Sequence, residues 1–154
     1  MSQPLETGVK APDFSIETTE GQKKLTSYKG KHLVLYFYPK DDTPGCTNEA
    51  KDFSSLSIQF EAAGIKILGV SRDTLAKHQK FIAKHDLKIE LGSDEDGVLC
   101  EAYGVWVEKN MYGRTYMGIA RSTFLIDPKG RISRIWPNVR VKGHAQDVLD
   151  SLNN

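Results

Sequence analysis

Two nearly continuous apolar runs along the chain predict buried β-strands. Residues 33–38 read LVLYFY and residues 65–70 read IKILGV. Runs that are rich in β-branched and aromatic residues are typical of strands covered on both faces, as in a parallel sheet. Pro39 ends the first run, and a polar loop with the sequence KDDTPG follows the strand. We therefore expect a polar loop directly after the C-terminal end of the first strand.

Helical periodicity follows each of these strands. From Thr47 the apolar residues recur at three- and four-residue steps and form one stripe, which Gly64 would end. The stripe consists of Ala50, Phe53, Leu56, Phe60 and Ala63. Further helices are predicted over about residues 75–86, with Asp73 or Thr74 as the N-cap, over about residues 96–104, and from about His144 onward.

Hairpin signals complete the pattern. Residues 13–25 predict a hairpin that turns at Glu20 and Gly21, residues 88–92 a short strand, and residues 118–137 a hairpin around Pro128-Lys129-Gly130. The predicted order is hairpin, β-α-β-α-β, helix, β-β and α. This order indicates an α/β protein with a thioredoxin-like fold, in which helices flank a central mixed sheet with an N-terminal β-hairpin. Since no repeat or linker divides the chain, we expect residues 1–154 to form a single domain.

Composition narrows the classes of partner. The chain has 154 residues and a net charge of +1, which gives no general reason to expect a nucleic-acid or membrane partner. It has two cysteines, no N-terminal signal-peptide pattern and no apolar run long enough to span a bilayer, so we expect a cytoplasmic protein. The four histidines and two cysteines show no zinc-ligand spacing, and we expect neither a metal nor another cofactor.

Cys46 is the candidate reactive residue. It follows a buried strand and its polar loop, and it stands at the start of a predicted helix. Active residues of open α/β sheets collect at the C-terminal ends of strands. A helix N-terminus presents unpaired N–H groups and a partial positive charge, which favour the thiolate, the nucleophilic form of cysteine. The alternative is a cysteine that only packs, and the polarity of the loop argues against it.

The loop also resembles a known active-site pattern. Pro39, Thr43 and Cys46 stand as P-x-x-x-T-x-x-C, which resembles the peroxiredoxin motif, and TPGCTNEA is similar to the branch called bacterioferritin comigratory protein or PrxQ. Residues 109–127, KNMYGRTYMGIARSTFLID, and the ending WPNVRVKGHAQDVLDSL agree with the same branch. The resemblance runs from residue 11 to the last helix.

This resemblance implies a thiol-dependent peroxidase and a role for each matching residue. Cys46 would attack a peroxide oxygen, Thr43 would hydrogen-bond the peroxide, and Pro39 would shield the reacting centre from water. Arg121 would bring a cation to the site. The backbone N–H groups of Gly45 and Cys46 would stabilise the charge that develops on the peroxide oxygens. If the resemblance is set aside, the sequence favours the interpretation of Arg121 as a solvent-exposed arginine in a strand.

The route by which oxidised Cys46 returns to the thiol stays open at this point. Many relatives have a second, resolving cysteine five residues after the first, where this chain has Lys51, and others have it in the next helix, where this chain has none. Cys100 is the remaining candidate, but it stands beside Val98 and Leu99, as a buried and inert cysteine would. We favour a one-cysteine enzyme that an external thiol resets, such as thioredoxin, glutaredoxin or glutathione, and that works as a monomer.

Other functions are compatible with parts of the pattern. A two-cysteine cycle through Cys100 is one alternative, and a peroxide sensor that signals through Cys46 without turnover is another. A thioredoxin-like dithiol oxidoreductase requires C-x-x-C, whereas this chain has Cys46-Thr47-Asn48-Glu49.

Overall fold

The computed structural model describes residues 5–152, and these residues form nine strands and five α-helices. The strands are β1 (Ser15–Thr18), β2 (Gly21–Lys24), β3 (His32–Phe37), β4 (Ile65–Ser71), β5 (Glu90–Ser93), β6 (Trp106–Met111), β7 (Arg114–Ile119), β8 (Ser122–Ile126) and β9 (Ile132–Trp136). The helices are α1 (Pro44–Ser55), α2 (Ser57–Ala62), α3 (Leu75–His85), α4 (Val98–Ala102) and α5 (His144–Ser151), and a short 3-10 helix spans Leu25–Tyr28.

Seven of the strands form one mixed sheet in the order β2-β1-β5-β4-β3-β8-β9. Strands β3, β4 and β5 are parallel neighbours, so α1 with α2, and then α3, are the crossover connections between them. Strand β8 joins the other side of β3 in antiparallel orientation, and β1 joins β5 in the same way. The predicted mixed sheet with its flanking helices and N-terminal hairpin is confirmed.

Strand β3 separates two hydrophobic cores because its successive side chains point to opposite faces of the sheet. Leu33, Leu35 and Phe37 pack in the core that also contains α4. Val34, Tyr36 and Tyr38 pack in the core that contains residues of α1, α3 and α5. The continuous apolar run therefore reflects a strand that is covered on both faces.

Helix α1 differs from its prediction at both ends. It begins at Pro44 rather than Thr47, because proline at the first helical position already has the required φ angle and lacks only an N–H that would stay unpaired anyway. It ends at Ser55, and α2 continues after Leu56. Serines surround this break, and their hydroxyls compete for backbone hydrogen bonds; Ser55 Oγ donates to the carbonyl of Asp52 at 2.9 Å.

The β6–β7 hairpin is absent from the predicted order of elements. Its residues are mostly exposed, so the strands show none of the apolar alternation that reveals a half-buried strand. Its turn does carry a signal. Tyr112 and Gly113 both have positive φ angles, 54° and 79°, as a tight two-residue hairpin turn requires.

No helix within residues 5–152 is both long and apolar enough to cross a membrane.

Candidate active site

Cys46 lies in the first turn of α1, just beyond the C-terminal end of β3. Thr43 is the N-cap, and Pro44 and Gly45 are the first two helical residues. The first backbone bond of the helix joins the N–H of Thr47 to the carbonyl of Thr43 at 2.8 Å. In the part of the chain that the structure describes, the N–H groups of Gly45 and Cys46 have no backbone acceptor. Two donors are therefore available beside a sulfur atom in a residue that is 2% exposed.

Arg121 contacts the sulfur directly. It connects β7 to β8, and the first residue of β8, Ser122, pairs with Phe37 at the end of β3. Its Nη2 donates to Cys46 Sγ at 3.3 Å, and its Nη1 donates to Glu49 Oε1 at 2.6 Å. Burial opposes the charge of the guanidinium, but Glu49 and Cys46 outweigh burial and raise the pKa of Arg121. A permanent cation thus lies against the sulfur.

Glu49 is a site residue that the sequence analysis did not single out. It lies one helical turn after Cys46, and this i, i+3 spacing places both side chains on one face of α1. Its side chain is 1% exposed, and its Oε2 has no hydrogen-bond partner among the described residues. Burial raises its pKa to about 7, although Arg121 acts in the opposite direction. The helical spacing was the signal available, but the sequence did not show that Glu49 would be buried against Arg121.

The hydroxyl of Thr43 is oriented as a hydrogen-bond acceptor for a ligand. It makes no helix-capping bond. Instead, Oγ1 donates its hydrogen to the carbonyl of Lys40 at 2.8 Å, which leaves its lone pairs available to a donor.

Gly45 leaves room for the arginine. A Cβ atom at this position would lie 3.2 Å from Arg121 Nη2, so any larger residue would press on the guanidinium. Pro39 is exposed and lines a cleft between the loop and the β6–β7 hairpin.

Two carboxylates anchor the loop between β3 and α1 to helix α3. Asp41 is buried; it accepts a hydrogen bond from the Tyr38 hydroxyl, and its Oδ2 lies 2.6 Å from Nδ1 of the fully buried His78. Asp42, which is exposed, bonds to Lys84 at 2.7 Å and to His85 at 2.8 Å. These bonds, first to His85 and then to Lys84, lower the pKa of Asp42.

Cys100 lies away from this arrangement. It is fully buried in the core on the face of the sheet opposite to Cys46, and its backbone N–H donates to Asp94 Oδ2 at 2.8 Å. Burial, followed by the hydrogen bond and charge of Asp94, raises the pKa of its thiol. The two cysteines are not brought together.

Within residues 5–152, no three His, Cys, Asp or Glu side chains group closely enough to hold a metal ion.

Known proteins are similar to this chain in sequence and in fold. The model of the AhpC/TSA family matches residues 7–135. Peroxiredoxin Bcp of Bacillus subtilis is 48% identical over 151 residues, which cover 97% of this chain and 96% of the relative.

Two solved structures are informative. A bacterioferritin comigratory protein of Xanthomonas campestris, described with an alkyl peroxide reduction activity, is 45% identical with a TM-score of 0.89, over 96% of this chain and 98% of its own. A yeast mitochondrial 1-Cys peroxiredoxin, described as resolved via glutathione/thioredoxin systems, is 26% identical with a TM-score of 0.80, over 97% of this chain and 76% of its own. The chain therefore belongs to the AhpC/TSA family, and it is a thioredoxin-fold peroxiredoxin of the Bcp/PrxQ group.

Proposed function

We propose that this peroxiredoxin reduces hydrogen peroxide and organic hydroperoxides through a sulfenic acid at Cys46. The observation that carries the proposal is the contact between Arg121 Nη2 and Cys46 Sγ at the N-terminus of α1. The cation and the free N–H groups stabilise negative charge that develops in the site during the attack on the peroxide. A relative with alkyl peroxide reduction activity supports the inclusion of organic substrates.

The chemical step is an in-line displacement at the peroxide bond. The Cys46 sulfur forms a bond to one oxygen, the O–O bond breaks, and the other oxygen takes a proton and leaves as water or an alcohol. Arg121 and the N–H groups of Gly45 and Cys46 stabilise the charge on the separating oxygens. The Thr43 hydroxyl accepts a hydrogen bond from the peroxide, since its own hydrogen is engaged by Lys40. Pro39 limits the access of water.

The enzyme then acts as a one-cysteine peroxidase. A sulfenic acid normally condenses with a second thiol. Cys100 is a poor partner because it is fully buried in the other core, behind the central sheet. An external thiol must therefore reduce the sulfenic acid, as in the yeast 1-Cys relative described with glutathione/thioredoxin systems.

Matched cysteine variants test both parts of this proposal. We expect Cys46→Ser to abolish steady-state peroxide consumption with any thiol reductant. We expect Cys100→Ser to keep most of the activity, since a serine hydroxyl can still donate to Asp94. After one equivalent of peroxide, mass spectrometry of the wild type should show a gain of one oxygen at Cys46. A Cys46–Cys100 disulfide as the main product would refute the one-cysteine cycle, and turnover by Cys46→Ser would refute the assignment of the nucleophile.

We further propose that the enzyme works as a monomer in the cytoplasm, where the reducing thiol pool would supply the resetting thiol. Cys46, Arg121 and Glu49 contact one another within a single chain, which supports a site that one subunit forms. Light scattering of the reduced and oxidised forms should give the 17.2 kDa mass of one chain; a stable dimer in both forms would contradict the proposal.

A further inference from the structure

A charged cleft lies beside the active-site loop. It has a volume of about 450 Å³ and runs between that loop and the β6–β7 hairpin. This volume is typical of a site for a small molecule. Its lining includes the charged side chains Lys40, Arg72, Glu95 and Lys109 and the aromatic rings of Trp106 and Tyr116.

Most of the charged side chains that line the cleft are cations, and these cations form no ion pair with a carboxylate among the described residues. Among residues 5–152, neither Lys40 nor Lys109 forms a salt bridge. Arg72 is held in place without a carboxylate, since its Nη2 donates to the carbonyl oxygen of Glu95 at 2.8 Å and its guanidinium lies 4.5 Å from the centre of the Trp106 ring. The Glu95 carboxylate is the single acidic group of the lining. Three cations and one carboxylate therefore face a common space.

The cleft lies beside the reacting centre. Its lining includes Pro39, at the start of the loop that leads to Cys46, and Ile119, two residues before Arg121. Burial and the charge of Arg121 lower the pKa of Lys109, while Cys46 acts in the opposite direction. Lys109 thus shares the electrostatic surroundings of both active-site residues.

We propose that this cleft binds the thiol that resets Cys46, and that this thiol is a small molecule with carboxylates and an ammonium group, for which glutathione is the probe. The inference rests on the proposed one-cysteine function and specifies its co-substrate. The two carboxylates of such a thiol match the cations Lys40, Arg72 and Lys109, and its ammonium group matches Glu95. The aromatic rings of Trp106 and Tyr116 provide apolar contact for the peptide backbone.

The reset requires two molecules of the thiol. The first bonds through sulfur to Cys46 Sγ as the S–O bond of the sulfenic acid breaks, and its S–H proton joins the departing hydroxyl to give water. The second attacks the mixed disulfide, which releases the Cys46 thiol and the disulfide of the small thiol. Peroxide is the oxidant of the cycle, and the two thiols supply the two electrons.

The burial of the sulfur favours a small thiol over a protein thiol. Cys46 is 2% exposed, so an attacking sulfur must enter the site rather than meet it at the surface. A small molecule held in the adjoining cleft can do so, whereas a thiol fixed on the surface of a redoxin protein is limited by the approach of the two protein surfaces.

The experiment measures the reset step by itself. Full-length protein is converted to the sulfenic acid with one equivalent of peroxide and mixed in stopped flow with glutathione or with neutral 2-mercaptoethanol, at matched thiolate concentration. For the double variant Lys40→Gln/Lys109→Gln we expect the second-order rate constant with glutathione to fall about tenfold, the effect of losing two charge pairs, one at the exposed Lys40 and one at the half-buried Lys109. The rate constant with 2-mercaptoethanol should change by less than about twofold.

Two controls keep the result interpretable. Lys77→Gln/Lys80→Gln removes two exposed lysines of α3 outside this cleft and should leave both rate constants unchanged. In the wild type, raising NaCl from about 50 mM to about 500 mM should slow the reaction with glutathione severalfold and leave that with 2-mercaptoethanol unaffected, because salt screens exposed charges.

Failure of this inference differs from failure of the proposed function. Equal losses with both thiols, or no salt effect, would overturn the anionic-thiol site and leave the peroxidase intact. A redoxin protein that reacts faster than glutathione, and slows in the same double variant, would assign the cleft to a protein thiol and also overturn the inference. If peroxide gave no sulfenic acid at Cys46, the proposed function itself would fail.

Discussion

At the scale of single residues, the site depends on how Arg121 divides its hydrogen bonds. One nitrogen contacts the Cys46 sulfur, and the other contacts Glu49, whose second oxygen has no partner within the described chain. Ion pairing orients the guanidinium, but burial of the carboxylate costs free energy when it is charged. The structure accepts an energetically unfavourable carboxylate in order to hold the cation against the sulfur.

The pH dependence of stability should reveal this cost. In the unfolded chain Glu49 loses its proton near the ordinary glutamate pKa of 4.5, whereas burial raises the pKa in the folded state to about 7. The folded state therefore binds more protons between these values, and this group makes the free energy of unfolding fall as pH rises from about 4.5 to about 7. The variant Glu49→Gln has no ionisable group at this position, so this fall in the free energy of unfolding should be absent from it. We expect its stability relative to the wild type to be greater at pH 8 than at pH 5, as measured by urea unfolding.

A control for this prediction is Glu61→Gln, which removes an exposed carboxylate on α2 and should alter stability little at either pH. A stability difference between Glu49→Gln and the wild type that does not change with pH would contradict the raised pKa. The variant should also oxidise more slowly with peroxide, because a neutral amide holds Arg121 less firmly than a carboxylate does.

At the scale of elements, the loop between β3 and α1 is held mainly by helix α3. Asp41 bonds to His78 inside the protein, and Asp42 bonds to Lys84 and His85 at the surface. His78 Nε2 also lies 2.8 Å from the carbonyl of Gly92, so it donates there, and the Nδ1 contact with Asp41 completes its hydrogen bonding. The buried contact stabilises the loop that presents Cys46, and the exposed contacts add little.

Adjacent aspartates provide a matched comparison. Asp41→Ala removes the buried carboxylate that both the Tyr38 hydroxyl and His78 Nδ1 contact, and we expect it to lower the free energy of unfolding by about 3 kcal/mol. Asp42→Asn removes an exposed ion pair and keeps a residue that tolerates the φ of 61° at this position, so it should change stability little. Urea unfolding monitored by circular dichroism measures both. Equal effects of the two substitutions would contradict the assignment of the buried pair as the anchor.

The elements whose sequence signal is local are the ones that the sequence predicted. The buried strands β3 and β4, the start of α3 and the two hairpins of the main sheet were all predicted, because apolar runs and turn residues act over a few positions. Of the two predicted caps of α3, Asp73 and Thr74, the structure has Thr74. The β6–β7 hairpin was missed since its strands bury little surface. It nevertheless lines the cleft beside the active site, so an element with a weak apolar pattern contributes directly to the proposed function.

At the scale of the whole molecule, the central sheet separates the two cysteines. Cys46 belongs to the core on one face of β3, and Cys100 to the core on the other. A disulfide between them would require the sheet or its helices to unfold, because two cysteines must approach within about 7 Å between Cα atoms to be bridged. The fold itself therefore opposes an internal reset.

Hydrogen exchange tests this at the level of the fold. If no internal disulfide forms, oxidation of Cys46 requires no unwinding of α3, which remains attached to the loop through His78. We expect the exchange rates of α3 amides to differ by less than about tenfold between the reduced protein and the sulfenic acid form. Faster exchange confined to α3 after oxidation would show that the helix opens during the cycle, and it would contradict a fully folded reset.

The sequence by itself determined the α/β class, the position of Cys46 at the start of a helix and the absence of a cysteine at either usual resolving position. These are local properties, since they depend on apolar period, turn residues and spacing along the chain. The tertiary structure decided that Arg121 lies 3.3 Å from Cys46, that Glu49 is buried beside it and that Cys100 lies behind the sheet. Contacts between residues 75 positions apart depend on strand order and side-chain packing, and no local pattern encodes them.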